Sequence, residues 1–141
     1  MTVGPGPDRR SGARARWDGA TWTHTVATVP FAMWGLGEEV WIATGADLQR
    51  WDGASWQSFP QPDGTLLRAI TGFATDDVWA AGSDGHLAHC DGAAWQSVAS
   101  GTTADLFSLW GTGPDDLWAS GGEATGGLDG ILWLSTYLLR R

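Results

Sequence analysis

Lysine is absent from the 141 residues, and cysteine occurs once. A single cysteine excludes an internal disulfide and any multi-cysteine zinc site, and it leaves the redox compartment open. No apolar run approaches the ~20 residues of a membrane span, so no membrane partner is expected, and the opening residues lack the apolar stretch of a signal peptide. Positive charge is scarce in the body of the chain. Six of the eight arginines lie near the two ends, and between Trp17 and Leu139 only Arg50 and Arg68 face fifteen carboxylates. Such a surface repels phosphate backbones, which argues against a nucleic-acid partner. Residues 1–15, rich in Gly, Pro and Arg, are expected to be a disordered tail.

What is abundant is tryptophan, with eleven residues, and glycine, with twenty-one. Hydrophobic residues make up 43%, enough to exclude disorder of the body, and the length fits one domain. Self-similarity organises these residues. Asp18-Gly19-Ala20-Thr21-Trp22 recurs as Asp52-Gly53-Ala54-Ser55-Trp56 and as Asp91-Gly92-Ala93-Ala94-Trp95, at spacings of 34 and 39 residues. Two acids followed by aliphatic-Trp occur at Glu38-Glu39-Val40-Trp41, Asp76-Asp77-Val78-Trp79 and Asp115-Asp116-Leu117-Trp118. A third motif gives Trp34-Gly35, Thr71-Gly72 and Trp110-Gly111.

Each period holds four short apolar segments, such as 86–90, 94–99, 106–110 and 117–120, divided by turn residues. None sustains a helical period. Asp91-Gly92 is a dipeptide suited to a type I′ hairpin, in which both central residues need positive φ. Four antiparallel strands per ~40 residues describe a β-propeller blade, and tryptophan at recurring positions suits the wedge-shaped gap between blades. The expected fold is therefore all-β, with a repeat region at 16–134 and an irregular tail at 135–141. A β-sandwich is the competing architecture. The register starts in a third strand, continues through two full repeats, adds two strands of another, and leaves residues 130–134 as one more candidate third strand. About three blades' worth of strands falls short of the roughly four to eight of a closed ring. Either the chain is part of a longer propeller, or copies assemble as a homo-oligomer.

The segments 76–82, 85–95 and 106–111 resemble a Trp-rich propeller repeat of secreted or surface bacterial proteins. They are similar, more loosely, to tectonin-type propeller lectins and to the Asp-box repeats of sialidase-like propellers. The resemblance implies a secreted or surface module that binds or scaffolds.

The acid pairs sit where a turn meets a strand. Their neighbours alternate in direction, so they suit capping of turn amides better than acid–base chemistry or a Ca²⁺ rim. His86, His89 and Cys90 do not converge on a strand, so no metal is expected, and Cys90 occupies the packing place of Trp17 and Trp51. No nucleophile elbow, phosphate loop or zincin signature is present. The chain is read as non-catalytic, without a cofactor. Candidate ligand-binding residues are Arg16, Trp17, Arg50, Trp51 and His89. Arg16, Arg50 and His89 share one repeat position, either pairing with a turn carboxylate or forming the polar wall of a shallow site between blades. There a tryptophan would stack on a sugar face, with a glycan or a protein as ligand. A glycosidase-like propeller whose catalytic residues lie elsewhere, and a purely structural repeat, are the alternatives.

Overall fold

The computed structural model describes residues 11–28, 30–44, 47–62, 66–126 and 132–140. The chain is all-β, in four antiparallel sheets, with no α-helix among the described residues. Sheet I pairs β1 (Ser11–Trp17) with β2 (Trp22–Thr28). Sheet II contains β3 (Pro30–Leu36), β4 (Glu39–Thr44), β5 (Asp47–Trp51) and β6 (Trp56–Pro60). Sheet III repeats this order with β7 (Leu67–Ala74), β8 (Asp77–Gly82), β9 (Leu87–Cys90) and β10 (Trp95–Val98). Sheet IV joins β11 (Asp105–Gly113), β12 (Asp116–Gly126) and β13 (Leu132–Arg140). Among the described residues strands pair in chain order and no sheet closes on itself.

The repeated Asp-Gly-x-x-Trp segment makes one loop three times. Asp18, Asp52 and Asp91 each donate a backbone N–H to the carbonyl three residues on. Their Oδ1 atoms accept from the backbone amides two and three residues on, at 2.8–3.0 Å. Gly19, Gly53 and Gly92 take positive φ of 101°, 100° and 96°. The expected type I′ geometry is not what forms. Only the glycine has positive φ, and four loop residues separate the closing pairs Trp17↔Trp22, Trp51↔Trp56 and Cys90↔Trp95. The aspartate carboxylate satisfies two loop amides and removes the need for a second left-handed residue.

Cross-strand pairs share a face, and this divides each sheet into two sides. In sheet II one side carries Ala32, Trp34, Trp41, Ala43, Leu48 and Phe59, here called the trailing face. The other, leading, face carries Met33, Gly35, Ile42, Gln49, Trp51 and Trp56. The trailing face of sheet II packs on the leading face of sheet III, through Ile70, Val78, Ala80, Cys90 and Trp95. The trailing face of sheet III, through Ala81 and Leu87, packs on Leu106, Leu109 and Ala119 of sheet IV. Trp41 is fully buried, lying 5.2 Å from Phe59 and edge-on to Trp95 at 5.3 Å.

The Trp-Gly motif has a reason that spans two repeats. A Cβ on Gly72 would lie 2.7 Å from the Trp34 ring of the preceding sheet, and one on Gly111 would lie 2.7 Å from Phe73. Each glycine is the seat for the aromatic ring of the sheet before it. Phe73 supplies the ring that Thr71, at the strict Trp position, lacks.

Two expectations about the ends change. Strand β1 begins at Ser11, inside the segment expected to be disordered; residues 1–10 lie outside the described residues. Alternation of Ala13, Ala15 and Trp17 with Arg14 and Arg16 is a strand pattern that the Gly and Arg content of the segment obscured. The segment expected to be irregular after 134 is strand through Arg140, because the long β12 offers an edge that β13 pairs over nine positions. Of the candidate third strand at 130–134, residues 132–134 fall within β13, and 130–131 lie outside the described residues.

Candidate functional site

The second acid of each pair reaches an indole where turn capping was expected. Glu39 Oε1 accepts the Trp41 indole N–H at 2.7 Å, Asp77 Oδ1 accepts that of Trp79 at 2.9 Å, and Asp116 Oδ1 accepts that of Trp118 at 3.2 Å. Residues two apart on a strand share a face, so the second acid reaches the indole one step along. The first acid lies over the hairpin glycine, as Glu38 does at Gly53 and Asp76 at Gly92.

Arg50 and His89 complete these clusters. Arg50 is paired with Trp41 across β4 and β5, and its Nε lies 3.6 Å from Glu39 Oε1. His89 is paired with Trp79 across β8 and β9, and its Nε2 lies 2.7 Å from Asp77 Oδ1, with the imidazole 4.4 Å from the indole. Both residues thus pair with the acid that opens the neighbouring strand. Arg50 also reaches forward, its Nη1 donating to the Gly92 carbonyl of sheet III at 3.4 Å. Cys90, on the opposing face, is buried, and burial pushes its thiol up.

Arg16 differs. It is exposed and has no carboxylate partner among the described residues. It shares the trailing face of sheet I with Arg14, which stands where sheets II and III have Leu48 and Leu87. The Arg14 guanidinium lies 4.1 Å above the Trp56 ring and hydrogen-bonds Gln49 Oε1 of sheet II. Burial draws the Arg14 pKa below its ordinary value, against the pull of Asp47. Trp56 is 38% exposed and lies 5.5 Å from half-buried Trp51. The notch between sheets I and II therefore collects Arg14, Arg16, Gln49, Trp51 and Trp56.

Of the predicted residues, Arg16 and Trp51 belong to this notch, while Arg50 and His89 belong to the next two seams. Trp17 lies on the leading face of sheet I, turned away from Arg16, and is 51% exposed beside Trp22 at 5.8 Å. Arg14, Gln49 and Trp56 were missed, although Arg14 replacing leucine in the repeat was a visible signal. A separate shallow cavity of about 650 Å³ lies beside sheet III, lined by Asp84, His86 and residues 97–103. It touches none of the predicted residues. Among the described residues, no group of three or more His, Cys, Asp or Glu is placed to hold a metal. No protein-family model, curated protein or solved structure matches the chain.

Proposed function

We propose that the four sheets are β-propeller blades and that the chain is a non-catalytic binding module, with carbohydrate as the ligand class of the notch between sheets I and II. Serial packing of one sheet's trailing face on the next sheet's leading face, with first strands β3, β7 and β11 in contact, supports the blade reading. One observation carries the binding reading: the same inter-sheet position is consumed between sheets II and III and left open between sheets I and II. In the former, Cys90 replaces tryptophan and Arg50 is held by Glu39 and the Gly92 carbonyl. In the latter, the Arg14 guanidinium lies over the Trp56 indole and bonds Gln49, with Trp51 beside Trp56 and exposed Arg16 on the same face as Arg14. A pyranose stacks its C–H face on an indole while Arg and Gln donors take its hydroxyls. The repeated carboxylates are engaged with indoles, which supports a scaffolding role for them over an acid–base one.

A glycan array probed with the chain tests this. Binding to a defined sugar class that is lost in Trp56→Ala and in Arg16→Gln, with a cooperative thermal unfolding transition retained in both, is the expected result. Binding retained in both variants, or hydrolysis of a fluorogenic sialoside by the chain, overturns it.

A further inference from the structure

We infer that three aligned β-bulges on β3, β7 and β11 build a second binding surface, for an extended peptide that carries one carboxylate and an apolar side chain. This surface is separate from the notch and does not rest on the carbohydrate reading. Strand pairing slips at one repeated place, between Pro30 and Ala32, between Leu67 and Ala69, and between Leu106 and Ser108. The extra residues are Phe31, Arg68 and Phe107, each four residues before Gly35, Gly72 or Gly111 of the third motif. A bulge takes its extra residue out of the ladder and re-aims the side chain. Leu67 and Leu106, one step earlier, are fully buried, whereas Phe31 and Phe107 are 47% and 46% exposed. The bulge persists whether the position holds a ring or a guanidinium, so the side chain does not dictate it. Strands β3, β7 and β11 touch in that order, which sets the three bulges side by side. They stand at the end of the sheets opposite the Asp-Gly hairpins, where Glu38 lies over Gly53.

The chemistry of the three side chains selects the partner. The Arg68 guanidinium lies 5.5 Å from the centre of the Phe107 ring. Its Nε is buried without a hydrogen-bond partner, and no carboxylate pairs with it among the described residues. Arg50, the other arginine between Trp17 and Leu139, is instead held by Glu39 and the Gly92 carbonyl. A guanidinium backed by a ring keeps its fork set for a carboxylate, and Phe31 adds an apolar contact. The fifteen carboxylates of the body repel a partner with many negative charges, so one acid is what this surface accepts. Two rings and one guanidinium offer too few polar groups for the hydroxyls of a pyranose. Facing sheets lie ~10 Å apart, and Arg68 leans from sheet III toward sheet IV. The carboxylate and apolar places are therefore roughly 10–20 Å apart, about three to six residues of extended peptide.

Biolayer interferometry with immobilised peptides tests the inference. The probes are Gly/Ser peptides with one leucine and one aspartate at increasing separations, and the same set with asparagine in place of aspartate. The full chain is expected to bind the aspartate peptides whose two residues are about three to six positions apart. Binding should weaken on the order of tenfold or more with asparagine, in Arg68→Gln and in Phe31→Ser, with cooperative thermal unfolding kept in both variants. Arg68→Glu should prefer a matching lysine set, a gain that a misfolded chain could not show. Aspartate peptides that bind no tighter than their asparagine counterparts overturn the inference, as does Arg68→Gln binding like the unaltered chain. Sugar binding is read separately on the glycan array, so either result leaves the proposed function to its own test.

Discussion

The seam between sheets II and III and the two outer faces of the stack are built from the same repeat positions, yet they differ in what those positions touch. At the seam Trp41 is fully buried, Trp34 rests on Gly72, and Arg50 is shared between Glu39 and the next sheet's hairpin. At the ends Trp17, Trp22 and Trp110 are 51%, 59% and 62% exposed, and in the notch between sheets I and II Gly35 receives no ring. The difference teaches that tryptophan in this repeat is neither a core residue nor a surface residue by itself. Its burial depends on whether a sheet follows or precedes it.

The largest effect that would break the contrast is at the seam. Trp41→Ala removes a fully buried indole together with its Glu39 hydrogen bond, and should cost about 3–5 kcal/mol in urea denaturation. Trp110→Ala, measured in dilute protein below any association, should stay within about 0.5 kcal/mol. Equal costs would mean that seam and end are not different environments.

Gly72→Ala sharpens the same contrast through the partner of the ring. A methyl group set 2.7 Å from Trp34 should cost about 1–3 kcal/mol, most of it recovered when Trp34 is shortened to leucine. Gly35→Ala should cost less, since no preceding ring lies there. Thermal melts of Gly72→Ala, Trp34→Leu, the two combined, and Gly35→Ala decide this.

The hairpins provide a test common to seam and ends. Asp18, Asp52 and Asp91 have carboxyl pKa values lowered by backbone hydrogen bonds, the largest from Thr21, Ser55 and Ala93 respectively. A carboxylate held below its unfolded value stabilises the fold at pH above about 4, and the gain disappears as pH falls through the lowered folded values. Melting temperature should therefore drop on acidification below about pH 4, and replacing the three aspartates by alanine should flatten that limb.

The smallest effect is expected at His89. Arg50 occupies the same register beside an acid and a tryptophan, so His89→Arg should change stability by no more than about 0.5 kcal/mol. A larger loss would show that the two clusters are not equivalent.

The repeat alone carried the sheet order, because Asp-Gly-x-x-Trp and acid-acid-x-Trp mark fixed points on consecutive strands. It carried the burial of Cys90 too, as a small residue at a tryptophan position. What the acid pairs do was hidden. A carboxylate beside a turn has two ways to spend its lone pairs, and only the side-chain direction on the strand sends it to the indole. The notch was legible in half. Arg16 and Trp51 follow from the repeat, whereas Arg14 and Trp56 meet across two sheets, and no spacing within one repeat reveals that contact. Strand β13 escaped notice because only two of its residues mark it, Leu138 at the place of Leu48 and Leu87 and Arg140 at that of Arg50 and His89.

Hydrogen exchange compared between β8 of the seam and β1 of the outer sheet tests most directly whether seam and ends are different environments. Among the described residues β8 is paired on both sides, while β1 pairs with β2 alone. The β8 amides should be strongly protected, and the β1 amides that face away from β2 should exchange fast. Equal protection in the two strands would contradict the account.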